Sequence, residues 1–203
     1  MTTRSRGPQA ATPRHRVREA SASRVFLREP RPEDLREFVA LRRASRALLE
    51  PWEPAEADGS ERFDERWSAR FLATTKADRR APFLVCASDD GAILGAISFF
   101  HIERGAVQGA QVGYWVGAAH ARRGVMSRAL ELALAKAFGP LALQRVEALI
   151  VPDNEPSRRL AQRTGFHLEG IARAYAELGG RRRDHERWSI TRAEWLARRT
   201  RFA

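Results

Sequence analysis

The segment WVGAAHARRGVMSRALELALAKAF, Trp115 to Phe138, places two arginines and a glycine where an extended apolar stretch gives way to a long amphipathic helix. Leu130, Leu132, Ala133, Leu134 and Ala137 turn one face of that helix to a core, which fixes its first turn in place. Unsatisfied N–H groups at that turn, the positive end of the helix dipole and the guanidiniums of Arg122 and Arg123 make a site for an anion, and Gly124 lets the backbone approach a phosphate closely. A pyrophosphate suits this chemistry. On spacing alone, the same residues read equally well as a solvated loop whose glycine only permits a turn. A second pair, Asn154 and Ser157 in PDNEPSRRLAQRTGF, opens another helix. There Asn and Ser are ordinary N-caps in any protein.

The elements that must hold these residues follow from periodicity and turn signals. RVFLRE is a short strand, and PRPEDLREFVALRRASRALL a helix with Leu35, Phe38, Val39 and Leu41 on its buried stripe, stopped by Pro51 and Pro54. A second helix is expected from Ser60 to about Thr75, with Phe63, Trp67, Phe71 and Leu72 on one face. PFLVCAS and AILGAISFFHIE flank DDG, a strong hairpin signal, and AQVGYWVGA adds a third antiparallel strand. Beyond the opening segment come the strand QRVEALIV, a short helix closed by Gly165, and the strand FHLEGIARAYAEL. A hairpin at Gly179 and Gly180, the strand RRRDHERWSIT and a last helix, RAEWLARR, complete the pattern. The order is mixed α/β (α+β), with long helices interrupting a mostly antiparallel sheet. It lacks the regular βαβ alternation, the GxGxxG and the GxxxxGK[ST] of common nucleotide-binding folds.

Composition narrows the function classes. The chain has 203 residues, 43% of them hydrophobic, enough for one domain with a real core. No run approaches a membrane span, and the N-terminus has no apolar signal core, so a cytoplasmic protein with no membrane partner is expected. Residues Met1 to Ser23 read as a disordered basic tail, and the single domain is expected to run from Arg24 to Ala203. Cys86 is the only cysteine, which excludes an internal disulfide and a cysteine zinc cluster. The formal charge of +11 is almost all arginine, Lys76 and Lys136 being the only lysines, and is weak evidence for nucleic-acid binding. His101, His120, His167 and His185 show no metal-ligand spacing, so no metal site is expected.

The order of elements decides between the two readings of the arginine loop. Strand, RRGxMxxAL helix, strand, NxxSxRLxxxxGF and a hairpin resemble the GNAT superfamily of acyl-CoA-dependent N-acyltransferases. LLEPWEP, GAISFFHIERGAVQGAQVGYWVG, ARRGVMSRAL, PDNEPSRRLAQRTGFHLEGIARAY and GGRRRDH resemble its RimJ/RimL type, the ribosomal-protein N-terminal acetyltransferases. The resemblance covers Arg24 to Trp195. It implies the GNAT fold, with a splayed central strand pair flanked by helices, and acetyl-CoA as cofactor. Trp115 and Val116 would offer backbone groups to the pantetheine arm. Ala121, Arg122, Arg123, Gly124, Val125, Met126 and Ser127 would hold the pyrophosphate. Ala121 and Met126 depart from the superfamily pattern Q/R-x-x-G-x-G/A, which removes the polar contact of its first position. Asn154 would bond the pantetheine amides, and Ser157 would protonate the leaving thiolate.

Acetyl transfer to an amine requires loss of an ammonium proton, stabilisation of a developing oxyanion, and tolerance of a leaving thiolate. Val116 N–H is the expected oxyanion donor, since it lies where the strand stops pairing. Glu103, His101, Glu177 and Asp184 are the candidate bases, with Glu177 placed by its hairpin toward the acceptor. In the related Rim pattern the acid falls one place earlier, at Ala176 here, on the other side of a strand. The resemblance assigns acceptor binding to Trp52, Glu103 and Tyr175, although Trp52 alone reads as readily as a loop anchor. The expected acceptor is a protein N-terminal α-amine, a ribosomal protein's among the candidates. The alternatives are a small amine such as an antibiotic, polyamine or amino-acid derivative, and a non-catalytic ribosome- or RNA-binding module. A monomer or homodimer is expected.

Overall fold

In the computed structural model, which describes residues 24–54, 62–73 and 79–200, seven described strands form one sheet. They are β1 (Val25–Arg28), β2 (Ala81–Ala87), β3 (Ile93–Phe100), β4 (Gly109–Val116), β5 (Arg145–Ile150), β6 (His167–Leu178) and β7 (Arg181–Thr191). Their spatial order is β1-β2-β3-β4-β5-β7-β6. The described helices are α1 (Leu35–Ala44), α2 (Arg46–Leu49), α3 (Glu65–Leu72), α4 (Val125–Phe138), α5 (Glu155–Thr164) and α6 (Arg192–Thr200). The basic tail expected at 1–23 lies outside the described residues, as do both ends of the helix expected from Ser60 to about Thr75. No described helix is long and apolar enough to cross a membrane.

Two helical boundaries differ from the sequence expectation for local chemical reasons. The first long helix breaks at Ser45, where φ is −105° and ψ is 7°. Its hydroxyl donates to the Leu41 carbonyl at 2.7 Å, the back-bonding that weakens a helix, and accepts from Ala118 N–H at 2.9 Å, far along the chain. The Asp64 carboxylate accepts from Trp67 N–H at 2.6 Å and so caps α3 at Glu65, which leaves Phe63 ahead of the helix instead of on its face. The β6–β7 turn consists of Gly179 and Gly180 at φ 58° and 74°, the left-handed conformations a two-residue hairpin demands.

The sheet separates two apolar layers. Phe38 of α1 and Phe71 and Leu72 of α3 pack against Leu84, Cys86 and Ala96 on one face. On the other, Ala129, Leu130, Ala133, Leu134 and Ala137 of α4 and Leu160 and Ala161 of α5 pack against Val85, Ile97, Val112, Val146 and Ala148. The helix spacing of the α4 residues and the alternate spacing of the strand residues are the patterns expected of these two element types. β4 and β5 are the parallel pair in an otherwise antiparallel sheet, and they pair only from Gly109–Arg145 to Gln111–Glu147. β5 then keeps to β7 as far as Ile150, while β4 keeps to β3 as far as Val116. The centre of the sheet therefore opens into a gap.

Candidate active site

Strand alternation determines what faces that gap. Gly117 N–H donates to the Leu94 carbonyl at 2.8 Å, and the register runs on through Ala96–Trp115 and Ser98–Gly113. Backbone groups of successive residues point to opposite sides of a strand. Gly113 and Trp115 therefore face β3, Val112 faces β5 at the last pair, and Tyr114 and Val116 face the side that β5 has left. Gln144 N–H, on the Gln108 carbonyl at 2.6 Å, sets the same parity at the closed end of the gap. The Val116 backbone thus turns to the open side. Trp115 does not, and the second position belongs to Tyr114. An extended amide chain can add to such an edge as another strand would.

The mouth of the gap leads through a 3-10 turn, Ala118–His120, into α4. Gly124 occupies the N-cap with φ 74° and ψ −1°, and Arg122 also has a positive φ, 61°. The first helical bond is Arg128 N–H to the Gly124 carbonyl at 3.1 Å, so the N–H groups of Val125, Met126 and Ser127 lie ahead of the ladder. Val125 and Met126 bury their side chains in the core, which limits their contribution here to backbone. Arg122 and Arg123 are exposed and Ala121 and Ser127 half-buried. Burial, and then the Arg123 charge, push the His120 imidazole below its usual range; its Nδ1 is buried without a hydrogen-bond partner among the described residues. The Ser45–Ala118 bond and the packing of Leu41 against Gly117 fix this turn to the α1 layer.

Asn154 caps α5: its Oδ1 accepts from Ser157 N–H at 3.2 Å, so a bond from this side chain to a ligand falls to Nδ2. Ser157 Oγ lies 2.8 Å from the Tyr114 hydroxyl. Burial pushes the Tyr114 phenol up to about 12, against a smaller opposite effect of the bond to Ser157. Arg158, next along α5, bonds Glu186 at 2.9 Å, and Glu186 also accepts from Trp188 Nε1 at 2.8 Å, which anchors the start of α5 to β7. Tyr114 was not among the expected site residues. The alternation of GYWV, which puts residue 114 on the same side as 116, is the signal in the sequence that leads to it.

On the opposite face, the Trp115 ring forms part of a cage around the Arg42 guanidinium, which lies 4.5 Å from Trp67 and 5.0 Å from both Phe63 and Trp115. Arg42 bonds Glu53 at 2.7 Å, tying down the loop that carries half-buried Trp52. Pro54 of that loop bridges to Leu178 at the end of β6. Tyr175 accepts from Gln111 Nε2 at 3.4 Å and lies 5.2 Å, ring to ring, from His185. The loop that carries Trp52 and the Tyr175 ring are thus both tied to the β6–β7 hairpin. Glu177 pairs with Arg182 and Ala176 with Arg183, so by alternation Glu177 is on the opposite side of the hairpin from His185. Glu103 is bonded through its backbone to Gly109, at the closed end of the gap, and its exposed carboxylate lies 3.9 Å from Arg79. Asp184 is engaged by Ala174 N–H at 2.7 Å, and His101 is exposed beside Phe100.

The arrangement therefore offers a backbone edge for amides, a helix start with two cations for phosphates, and a pair of hydroxyls that joins β4 to α5. A family model described as an acetyltransferase (GNAT) domain matches residues 24–167. The Bacillus subtilis protein named Probable N-acetyltransferase YjcK is 30% identical over 164 residues, 80% of this chain and 91% of that protein. The ribosomal protein uS5-alanine N-acetyltransferase of Escherichia coli is 29% identical over 154 residues, 74% of this chain and 79% of that protein. Among solved structures, Mycobacterium smegmatis RimJ in complex with CoA-disulfide superposes with a TM-score of 0.76 at 32% identity, covering 84% of this chain and 83% of that one.

Proposed function

The chain belongs to the GNAT acetyltransferase family, and from that premise we propose that it transfers the acetyl group of acetyl-CoA to the α-amine of a protein N-terminus, a ribosomal protein's among them. The observation that carries the reading is the departure of β5 from β4 after Gln111, which leaves the backbone of Tyr114 and Val116 facing a gap that ends at the α4 N-terminus. The donor set fits acetyl-CoA. Strand-edge N–H and C=O groups complement pantetheine amides, and Gly124, the N–H groups of Val125 to Ser127 and the two arginines complement the diphosphate. Acetyl-CoA supplies a thioester, a carbonyl open to amine attack. In this reading the N–H groups of Tyr114 and Val116 stabilise charge on the thioester oxygen, and the α4 and α5 starts hold the cofactor so that the amine enters from the Trp52 and Tyr175 side.

The chemistry of the acceptor supports an α-amine. An α-amino group has a pKa of about 7.7–8.0, so roughly a third of it is neutral at pH 7.5, against about one part in a thousand for an amine near 10.4 such as lysine. A site whose carboxylates Glu103, Glu177 and Asp184 are placed as described suits the amine that needs the weaker base. The relatives at 29% and 32% identity, a ribosomal-protein alanine acetyltransferase and RimJ, point the same way.

Competition tests the reading. With acetyl-CoA, a ribosomal-protein peptide beginning with alanine, an Nα-blocked lysine peptide and spermidine present together, the free N-terminus is expected to gain one acetyl group, with kcat/KM at least tenfold above either competitor. Preference for spermidine or lysine would show a different acceptor class. Salt-dependent RNA binding with no thiol release would show a binding module.

A further inference from the structure

Among the described residues, one hydrogen bond joins the two sides of the gap directly. Tyr114 belongs to the part of β4 that β5 has left, and Ser157 to the helix that follows β5, yet their hydroxyls lie 2.8 Å apart. Both partners are fixed from behind. Tyr114 is packed against the main core. Ser157 sits in the first turn of a helix that Asn154 caps and the Arg158–Glu186 bond ties to β7.

We propose that Tyr114 is a positioning residue for the leaving group: its hydroxyl and that of Ser157 act as one unit that presents a single O–H to the CoA sulfur as the thioester breaks. This rests on the acetyl-CoA reading of the gap. Two hydroxyls bonded to each other use one proton between them and leave the second for another acceptor. If Tyr114 donates to Ser157, the serine proton is free; if Ser157 donates, the tyrosine proton is free.

The phenol's raised pKa, about 12, defines what the pair can do. A thiol ionises near 8.5, so net proton transfer from this phenol to a thiolate runs uphill by more than three units. The pair therefore donates a charge-assisted hydrogen bond and keeps its protons. In the transfer itself the N–C bond forms and the C–S bond breaks, the C–S electron pair goes to sulfur, the amine proton leaves to water, and the thiolate is protonated from solvent after release.

The test needs no acceptor. CoA is bound to the wild type, Tyr114→Phe, Ser157→Ala and the double variant, and the bound thiol is titrated by the ultraviolet difference absorbance of its thiolate. Tyr114→Phe is expected to raise the bound thiol pKa by about one unit, Ser157→Ala by as much or more, and the double variant no further than the larger single shift. With an acceptor, Tyr114→Phe should lower kcat about tenfold and leave the acceptor KM unchanged. Thermal unfolding separates a loss of fold from these effects. If Tyr114→Phe fails to fold, Ser157→Ala must raise the thiol pKa and Ser157→Thr restore it. An unshifted titration in both single variants, or shifts that add, would overturn the proposal. Failure of the wild type to bind CoA would overturn the acetyl-CoA site as well.

Discussion

Replacing Arg42 by alanine is expected to lower the stability of the domain by about 3–5 kcal/mol, the usual cost of breaking a buried ion pair from one side. The Arg42 side chain is 1% exposed and its partner Glu53 17% exposed, with 2.7 Å between them. The guanidinium also donates through Nε to the Arg62 carbonyl at 2.8 Å and faces Phe63, Trp67 and Trp115. Truncation leaves a cavity among three aromatic rings and weakens the hold on a largely buried carboxylate. Arg62, 3.3 Å from Glu53, compensates in part, which favours the lower end of the range. At roughly 2–4 °C per kcal/mol for a domain of this size, the thermal midpoint should fall by about 6–20 °C. Arg42→Lys keeps the charge but not the flat stacking surface or the Nε bond, and should recover only part of the loss. A change below about 1 kcal/mol on chemical unfolding would show that the cage does not anchor the Glu50–Pro54 segment.

The second large effect is on cofactor binding and leaves the fold nearly unchanged. Gly124 caps α4 with φ 74°, a conformation costing an ordinary L-residue about 1–2 kcal/mol but less for aspartate and asparagine. Gly124→Asp also places a carboxylate where the free N–H groups of α4 begin, which favours the helix without ligand. The same carboxylate competes for those groups and faces the diphosphate. Like charges about 5 Å apart repel by about 3 kcal/mol at an effective dielectric constant near 20, so acetyl-CoA affinity should fall roughly a hundredfold with little change in melting temperature. Arg122→Ala and Arg123→Ala remove exposed charges worth up to about 1 kcal/mol each, and that loss should shrink as salt rises. Calorimetric titration of the three variants checks the ranking. An arginine variant weaker than Gly124→Asp would move the anion site from backbone to side chains.

The sequence made element order legible because that order depends on short-range signals. The α4 apolar spacing, the Gly-Gly turn and the caps at Asn154 and Gly165 each act within a few residues. Ser45 illustrates what was hidden: its break in the first helix is reinforced by Ala118 N–H, a partner 73 residues away. Arg42 read as one arginine on an amphipathic helix, since the three rings around it come from other parts of the chain. The gap was foreseen through resemblance, but the residues that open onto it depend on strand parity. That parity assigns Tyr114 and Val116 to the gap and Trp115 to β3. Glu177 and Ala176 differ in the same way, since neighbours on a strand face opposite sides. Pattern alone could name the neighbourhood, while register was needed to choose the residue.

Backbone amide exchange, followed residue by residue with and without acetyl-CoA, tests the central claim most directly. Acetyl-CoA is expected to slow exchange at Tyr114 and Val116 and at Val125 to Ser127, while Trp115, already bonded toward Ala96, exchanges slowly in both states. Protection confined to other segments, with these five amides unchanged at saturating acetyl-CoA, would contradict the placement of the cofactor in the gap between β4 and β5.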